Sequence, residues 1–282
     1  METWRLIEDG ACGGRLNMAT DRAILTACGE GKAPPTLRLY GWAEPTLTVG
    51  YAQNSDRDVD MTRCLALGIP VVQRPTGGRA LLHDKELTYS LVAPIPHPQF
   101  PANLRDSFCV VSKALILSLK ELGICDAKMT KPERASQNGR SPSCFSTLNH
   151  HEITVKNKKL IGSAQRRTSR SFLQQGSLWI DCDRDRMNSL FQFDTLKSQE
   201  ANLEILRHAT VSLNQLCKRE VEYHEVALAF QIGFQNTFPI SWRCGKLSPY
   251  EIELRDRILE QSAGTSGKVG CFNLNQEKNA DN

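Results

Sequence analysis

The run from Gln73 to Ser90 constrains this chain most, because it sets a glycine pair between short stretches of β character. Val71 and Val72 lead in with β-branched side chains, and Ala80 to Leu82 and Leu87 to Val92 read as two strands after the turn. Gly77 and Gly78 lack a Cβ, so the backbone there can take positive φ and lie flat against a ligand. With Arg74 before and Arg79 after, the turn is suited to present N–H groups and positive charge to an anion or a polarised carbonyl.

Around this hairpin the chain interleaves strands and helices without regular βαβ alternation. Leu6 and Ile7 mark a first strand, and Asn17 is expected to cap a helix carrying Ala19, Ala23, Ile24 and Ala27 that closes near Gly29. Thr36 to Tyr40 and Thr46 to Tyr51 read as strands, Val59 to Leu67 as a helix stopped at Gly68 to Pro70. Asp106 is expected to cap a helix bearing Val110, Val111, Ala114, Leu115, Leu117 and Leu122, closed by Gly123. Lys131 to Pro142 reads as a polar, mobile loop. Strands follow at His151 to Val155, Leu160 to Gln165 and Phe172 to Asp181, the first two joined by a tight turn at Lys156 to Lys158. Helices dominate from Asp183, including Ala201 to His208, Ser212 to Lys218, Tyr223 to Phe238 and Ser248 to Gln261.

This pattern predicts an α+β fold, with a mixed, largely antiparallel sheet and packed helices. Residues 1–247 form the expected catalytic domain, 248–262 a C-terminal helix and 263–282 a tail without periodicity.

Composition narrows the function. A hydrophobic content of 40% is ample for a core, and the formal net charge of +4 is too mild to argue for nucleic acid, although it suits docking to an acidic partner through a local patch. The charged N-terminal residues carry no signal-peptide core, and the most apolar stretch, Cys109 to Leu119, is broken by Ser112, Lys113 and Ser118. The expectation is a cytoplasmic chain with no membrane partner. Ten cysteines show no C-x-x-C pair and no zinc spacing, so no metal or other cofactor is expected. Cys64, Cys109 and Cys217 sit on apolar helical faces and read as core residues.

Cys144 differs in its setting. It lies in a polar segment beside Pro142 and Ser143, with Arg140, His150 and His151 near in sequence. A thiol in an electropositive, partly exposed place is the better nucleophile. Lys159 starts a strand that continues through the small residues Gly162, Ser163 and Ala164, which leave room for a ligand; the usual strand lysine is only a solvated charge. Together the two segments offer a thiol, an ammonium and a glycine-rich backbone, the equipment of acyl transfer.

These residues carry a resemblance. From Trp4 to about residue 240 the chain resembles the lipoate ligase/biotin ligase-like superfamily, and within it the LipM-type octanoyltransferases. The matching stretches are Leu39 to Trp42, Val49 to Gln53, Arg74 to His83, Glu86 to Ser90, Cys144 with Phe145, Lys159 to Arg167 and Leu173 to Ser177. The resemblance implies a catalytic domain of the biotin/lipoate ligase type. It further implies octanoyl transfer from acyl carrier protein, through Cys144, to a lysine of a lipoyl domain in protein lipoylation. The acceptor would be the glycine-cleavage H protein or a dehydrogenase acyltransferase subunit. Lys159 becomes the site lysine, and Arg74, Gly77, Gly78, Arg79, His83, Gly162, Ser163 and Ala164 line the substrate site. Leu81, Leu82, Leu160 and Ile161 are expected to wall an acyl tunnel, while Lys131, Arg134 and Arg140 would meet an acidic carrier protein.

The family usually shows His before the Gly-Ser of the following strand, where this chain has Gln175, and the tail after Gln261 is unlike the usual ending. Three other readings share the scaffold. One is an ATP-dependent lipoate or octanoate ligase, for which a clear extra C-terminal domain is lacking. A second is an amidotransferase moving octanoyl between lipoyl domains, which the Thr76 to Ala80 sequence disfavours. The third is a non-catalytic module that docks lipoyl domains.

Overall fold

The computed structural model describes residues 1–130 and 152–263. Its strands are β1 Glu2–Cys12, β2 Thr36–Trp42, β3 Thr46–Val49, β4 Val71–Gln73, β5 Leu81–His83, β6 Glu86–Pro94, β7 Lys128–Met129, β8 Ile153–Val155, β9 Lys158–Arg167, β10 Ser171–Trp179 and β11 Ile240–Cys244. Its helices are α1 Gly14–Gly29, α2 Ser55–Asp58, α3 Met61–Ala66, α4 Leu104–Glu121, α5 Arg184–Asn188, α6 Leu196–Ala209, α7 Leu213–Cys217, α8 Tyr223–Thr237 and α9 Pro249–Ala263.

The larger sheet runs β11-β1-β2-β6-β10-β9-β8-β7 and the smaller one β4-β3-β5. In the larger sheet β1 pairs parallel with β11 and β2, and every other pairing is antiparallel. The α+β fold with a mixed, largely antiparallel sheet is therefore what the chain adopts.

Two helix layers explain why the central strands are apolar on both sides. One face of the sheet presents Leu37, Leu39, Leu87, Tyr89, Leu91 and Phe172 to α4 and α8, which answer with Val111, Leu115, Leu119, Phe230 and Phe234 at helical spacing. The other face presents Ile7, Val92 and Leu173 to Ile24, Leu25 and Cys28 of α1. All nine residues of β10 and all seven of β2 are buried, as expected of strands covered on both faces. Helix α9 lies outside α1, with Ile258 against Ala19 and Ala23.

Several local expectations are corrected. Asn17 does not cap α1, which starts after Gly13. It is buried within the helix, where it donates to Cys12 O and Gly41 O at 3.2 and 3.0 Å and accepts from Arg38 at 2.8 Å. Asn103, not Asp106, caps α4: its side chain accepts from Asp106 N at 2.8 Å, so the aspartate supplies the N–H rather than the cap. The helix expected over Val59 to Leu67 shortens to α3 because Asp60 caps it, and Val59 forms a bridge to Phe191. β11 was not expected. It is short and joins the sheet edge through Glu2 to Leu6. Cys64 is buried as expected, but Cys109 and Cys217 are only half-buried.

The glycine-pair segment also folds differently. β4 and β5 do not pair with each other; β3 lies between them, parallel to β4 and antiparallel to β5. The glycines therefore cross the end of β3 instead of closing a hairpin.

Candidate active site

A pocket opens between the α1 face of the larger sheet and the smaller sheet. Met18 of α1, Tyr40 and Trp42 of β2, Thr88 of β6, and Gln175, Gly176 and Ser177 of β10 line one side. Thr48, Leu81 and His83 line it from the smaller sheet, with Arg74, Thr76 and Gly78 from the connection; Glu152, Gly162, Ser163 and Ala164 complete it. Arg74, Gly78, His83, Gly162, Ser163 and Ala164 are thus brought together around one pocket.

Gly77 and Arg79 do not line the pocket. Their carbonyls accept from the Arg74 guanidinium instead, Gly77 O at 2.8 Å and Arg79 O at 2.7 Å. Arg74 also donates to Thr48 Oγ1 at 3.0 Å, so the buried arginine ties the glycine loop to β3. Of the pair only Gly78 has positive φ, +96°. The loop is pressed on β3's end so closely that a Cβ on Gly50 would fall 2.0 Å from Gly78 O. Leu81 is a lining residue, whereas Leu82 packs in the core beneath the smaller sheet, and Leu160 and Ile161 in the main core.

Lys159 has no solvent exposure, and its Nζ donates to Glu152 Oε1. Strand parity alone would put Lys159 with Ile161 on the core face. The β8–β9 register shifts, however: Ile153 faces Ile161, but Thr154 faces Lys159, leaving Leu160 as an extra residue. Such a bulge re-aims the side chains beyond it. Lys159 therefore shares a face with Thr154 and reaches Glu152, which lines the pocket, although Lys159 itself does not.

His83 forms a second buried polar cluster. Its ring stacks on Trp42 with centroids 4.1 Å apart, Nδ1 lies 2.6 Å from Glu86 Oε1, and Nε2 lies 2.8 Å from Thr48 Oγ1. Trp42 Nε1 and Thr88 Oγ1 also donate to Glu86 Oε1, at 3.2 and 2.6 Å. Burial by itself raises the Glu86 carboxyl, but His83, with hydrogen bonds from Ser177 and Thr88, outweighs it and holds the group below the usual carboxylate range. Gln175 accepts from Thr76 at 2.8 Å and donates to Asp21 at 2.6 Å, which joins the connection, β10 and α1.

The sequence reading missed Glu152, Trp42, Thr48 and Glu86 as parts of this site. Glu86 stands three residues after His83, a spacing that hinted at the pair; Glu152 gave no signal, because its partner is found only through the bulge. Cys144, and with it Lys131, Arg134 and Arg140, lies outside the described residues. Among the described residues no group of three or more His, Cys, Asp or Glu could hold a metal ion, and no helix is long and apolar enough to cross a membrane.

The pocket thus pairs an apolar, aromatic wall with a backbone loop and with Glu152, behind which Lys159 is buried, an arrangement suited to an acyl chain with a polar head. The lipoyl protein ligase A/B catalytic domain family matches residues 14–235. Octanoyltransferase LipM of Carboxydothermus hydrogenoformans is 37% identical over 265 residues, covering 94% of this chain and 97% of that one. Octanoyltransferase LipM of Bacillus subtilis is 35% identical over 264 residues, covering 92% and 96%. In fold, the bipartite lipoate protein ligase of Thermoplasma acidophilum superposes with a TM-score of 0.80 at 22% identity, covering 96% of this chain and 98% of that one. The chain belongs to the lipoyl protein ligase A/B catalytic domain family, and within it to the LipM octanoyltransferases.

Proposed function

We propose that the protein takes octanoyl from an acyl carrier protein thioester onto Cys144 and passes it to a lysine of a lipoyl domain. The glycine-cleavage H protein or a dehydrogenase acyltransferase subunit is the acceptor. The Cys144 sulfur attacks the thioester carbonyl, the carrier's sulfur leaves and takes up a proton, and an acyl-enzyme thioester remains. The acceptor's neutral amine then attacks that carbonyl, an amide forms, and the cysteine sulfur leaves and regains a proton. Both donors are already activated thioesters, so the sequence of steps needs no ATP.

The observation that carries this reading is the pocket between the sheets, with Met18, Tyr40, Trp42 and Leu81 on its walls and the Lys159–Glu152 pair at its edge, in a chain of LipM kinship. About seven buried methylenes of an octanoyl chain would contribute roughly 5–6 kcal/mol at about 0.8 kcal/mol each. In this reading Arg74, Gly78 and His83 shape the pocket, and Gly162, Ser163 and Ala164 leave room for the chain. Reaction in the cytoplasm follows from the soluble donors and acceptors proposed.

Intact mass spectrometry tests it. Mixed with octanoyl-acyl carrier protein, the chain is expected to gain one octanoyl group, and Cys144→Ala to gain none. A Cys144→Ala protein that still octanoylates a lipoyl domain, or a wild type that does so only with free octanoate and ATP, would overturn the reading in favour of a ligase.

A further inference from the structure

One side-chain hydrogen bond joins opposite walls of the pocket. Thr76, in the connection from β4 to β5, and Gln175 of β10 both line it, and Thr76 Oγ1 donates to Gln175 Oε1 at 2.8 Å. Thr76 is 0% and Gln175 6% exposed, so bulk water competes little for either group. The amide is held in one direction from its other end. Asp21 is buried and accepts from Arg38 Nη1 at 2.7 Å, Ser90 Oγ at 2.9 Å and Tyr40 OH at 2.9 Å, and Gln175 Nε2 donates to it at 2.6 Å. A carboxylate paired with a guanidinium only accepts, so the NH2 of Gln175 must face Asp21 and its oxygen must face Thr76. The connection is also held through its backbone. Thr76 O accepts from Tyr51 N at 3.0 Å, and Pro75 O accepts from Arg166 Nη1 at 3.4 Å.

We infer that Gln175 is a positioning residue that acts through Thr76, clasping the glycine connection to β10 and so fixing the gap between the two sheets in which the acyl chain lies. The inference rests on the reading of this pocket as the acyl site. Leucine at position 175 would fill much the same space but leave the Thr76 hydroxyl without its acceptor and Asp21 without one donor. Glutamate would copy the amide while neutral, its O–H donating to Asp21 and its C=O accepting from Thr76. Once ionised, it would set a second carboxylate against Asp21, and that proximity raises the pKa of the new group. The charged or titratable groups facing position 175 are Asp21 of α1 and, around it, Arg38 and Tyr40 of β2. Its neighbours across the sheet, Ser90 and Ala164, are neutral, while Arg74, His83 and Glu152 line the same pocket.

The test is kcat/KM for transfer by the full chain from octanoyl-acyl carrier protein to a lipoyl domain, between about pH 5.5 and about pH 8.5. Each variant is taken as a ratio to the wild type at the same pH, which cancels ionisations common to both, and thermal melts at each pH show that the chain assayed is folded. The Gln175→Glu ratio is expected to be highest in acid and to fall about tenfold or more as pH rises. Gln175→Leu should run about tenfold below the wild type, with a ratio that does not change with pH. Thr76→Val should match Gln175→Leu, and the two together should lose little more than either alone, because both break the same bond. Thr76→Ser, which keeps the hydroxyl, should retain more activity than Thr76→Val. A Gln175→Glu ratio that is flat across pH, a Thr76→Val variant as active as Thr76→Ser, or losses that multiply in the double variant would each overturn the inference. If the glutamate variant unfolds at high pH, the Thr76 series decides by itself. A folded wild type that transfers nothing from the carrier protein would overturn the acyl-transfer reading, a result separable from these.

Discussion

Ten cysteines in one chain raise the question of which sulfur can react, and burial answers for several. Desolvation pushes the Cys28 and Cys182 thiols up to about 12 and Cys64 to about 11. At pH 8 the thiolate fraction of each is then roughly a thousandth or less, and thiolate is the reactive form. Brief alkylation of the native protein at pH 8, mapped by peptide mass, should leave these three unmodified while the exposed Cys125 and Cys244 react, and denaturation should release them. Native labelling of Cys28 at the rate of Cys244 would contradict the packing. Glu86 supplies a second expectation. Its folded-state value lies below the ordinary 4.5, so its contribution to stability is full above that value and is lost as pH falls through the lowered one. Urea midpoints for the wild type and Glu86→Gln should differ at pH 7 and converge once the pH has fallen through the lowered value of the folded state. A gap that does not change with acid would mean that the His83–Glu86 pair carries no charge linkage.

At the scale of elements, the β4–β5 connection and one bulge shape the site. The connection from β4 to β5 can lie against β3's end only because position 50 has no side chain, since the nearest obstacle to a Cβ is backbone, Gly78 O, rather than a flexible group. Gly50→Ala is expected to shift that connection and destabilise the fold by about 1–3 kcal/mol. A displacement near 1 Å at a reacting site can lower the rate on the order of a hundredfold, so acyl transfer should suffer more than the melting temperature suggests. Thermal melts alongside transfer rates would check this; unchanged transfer would show that the glycine loop does not shape the reacting geometry. The bulge at Leu160 has the same character. It costs β9 a residue of regular pairing and in exchange sets a lysine facing a carboxylate.

For the whole molecule, α9 ties the C-terminal part to the first strand. Glu251 is buried and accepts from Arg5 Nη1 at 2.7 Å, and Ser248 N and Oγ donate to it at 2.7 and 2.9 Å. Burial raises the Glu251 carboxyl, but Arg5 and Ser248 outweigh it and lower the group. Arg15 reaches Ser262 at 2.9 Å from the other end of the same interface. Glu251→Ala leaves Arg5 buried without its partner and should destabilise the chain by about 3–5 kcal/mol in urea unfolding. Replacing both, as Arg5→Met with Glu251→Leu, should recover most of that loss. If the double replacement were as damaging as the single one, lost packing and not a stranded charge would be the cause.

Much of this architecture is legible in local pattern. The long helices announce themselves by helical spacing of Ala, Val, Leu and Phe, and the strands by β-branched runs between turns, because those periods follow from backbone geometry. Arg74, Gly78 and the small residues of β9 hint at a site through charge, backbone freedom and space, whereas His83 enters only through the family resemblance. Helix starts were misplaced at Asn17 and Asp106, where an asparagine can serve as a buried hub and an aspartate can stand inside the cap that precedes it. The pairing of β3 between β4 and β5, the inward turn of Lys159 and its partner Glu152 are contacts between segments distant in the chain or shifted by one extra residue. Composition and period carry no record of such contacts; they exist only once the strands have chosen their register, and register is settled by which faces the folded core can bury.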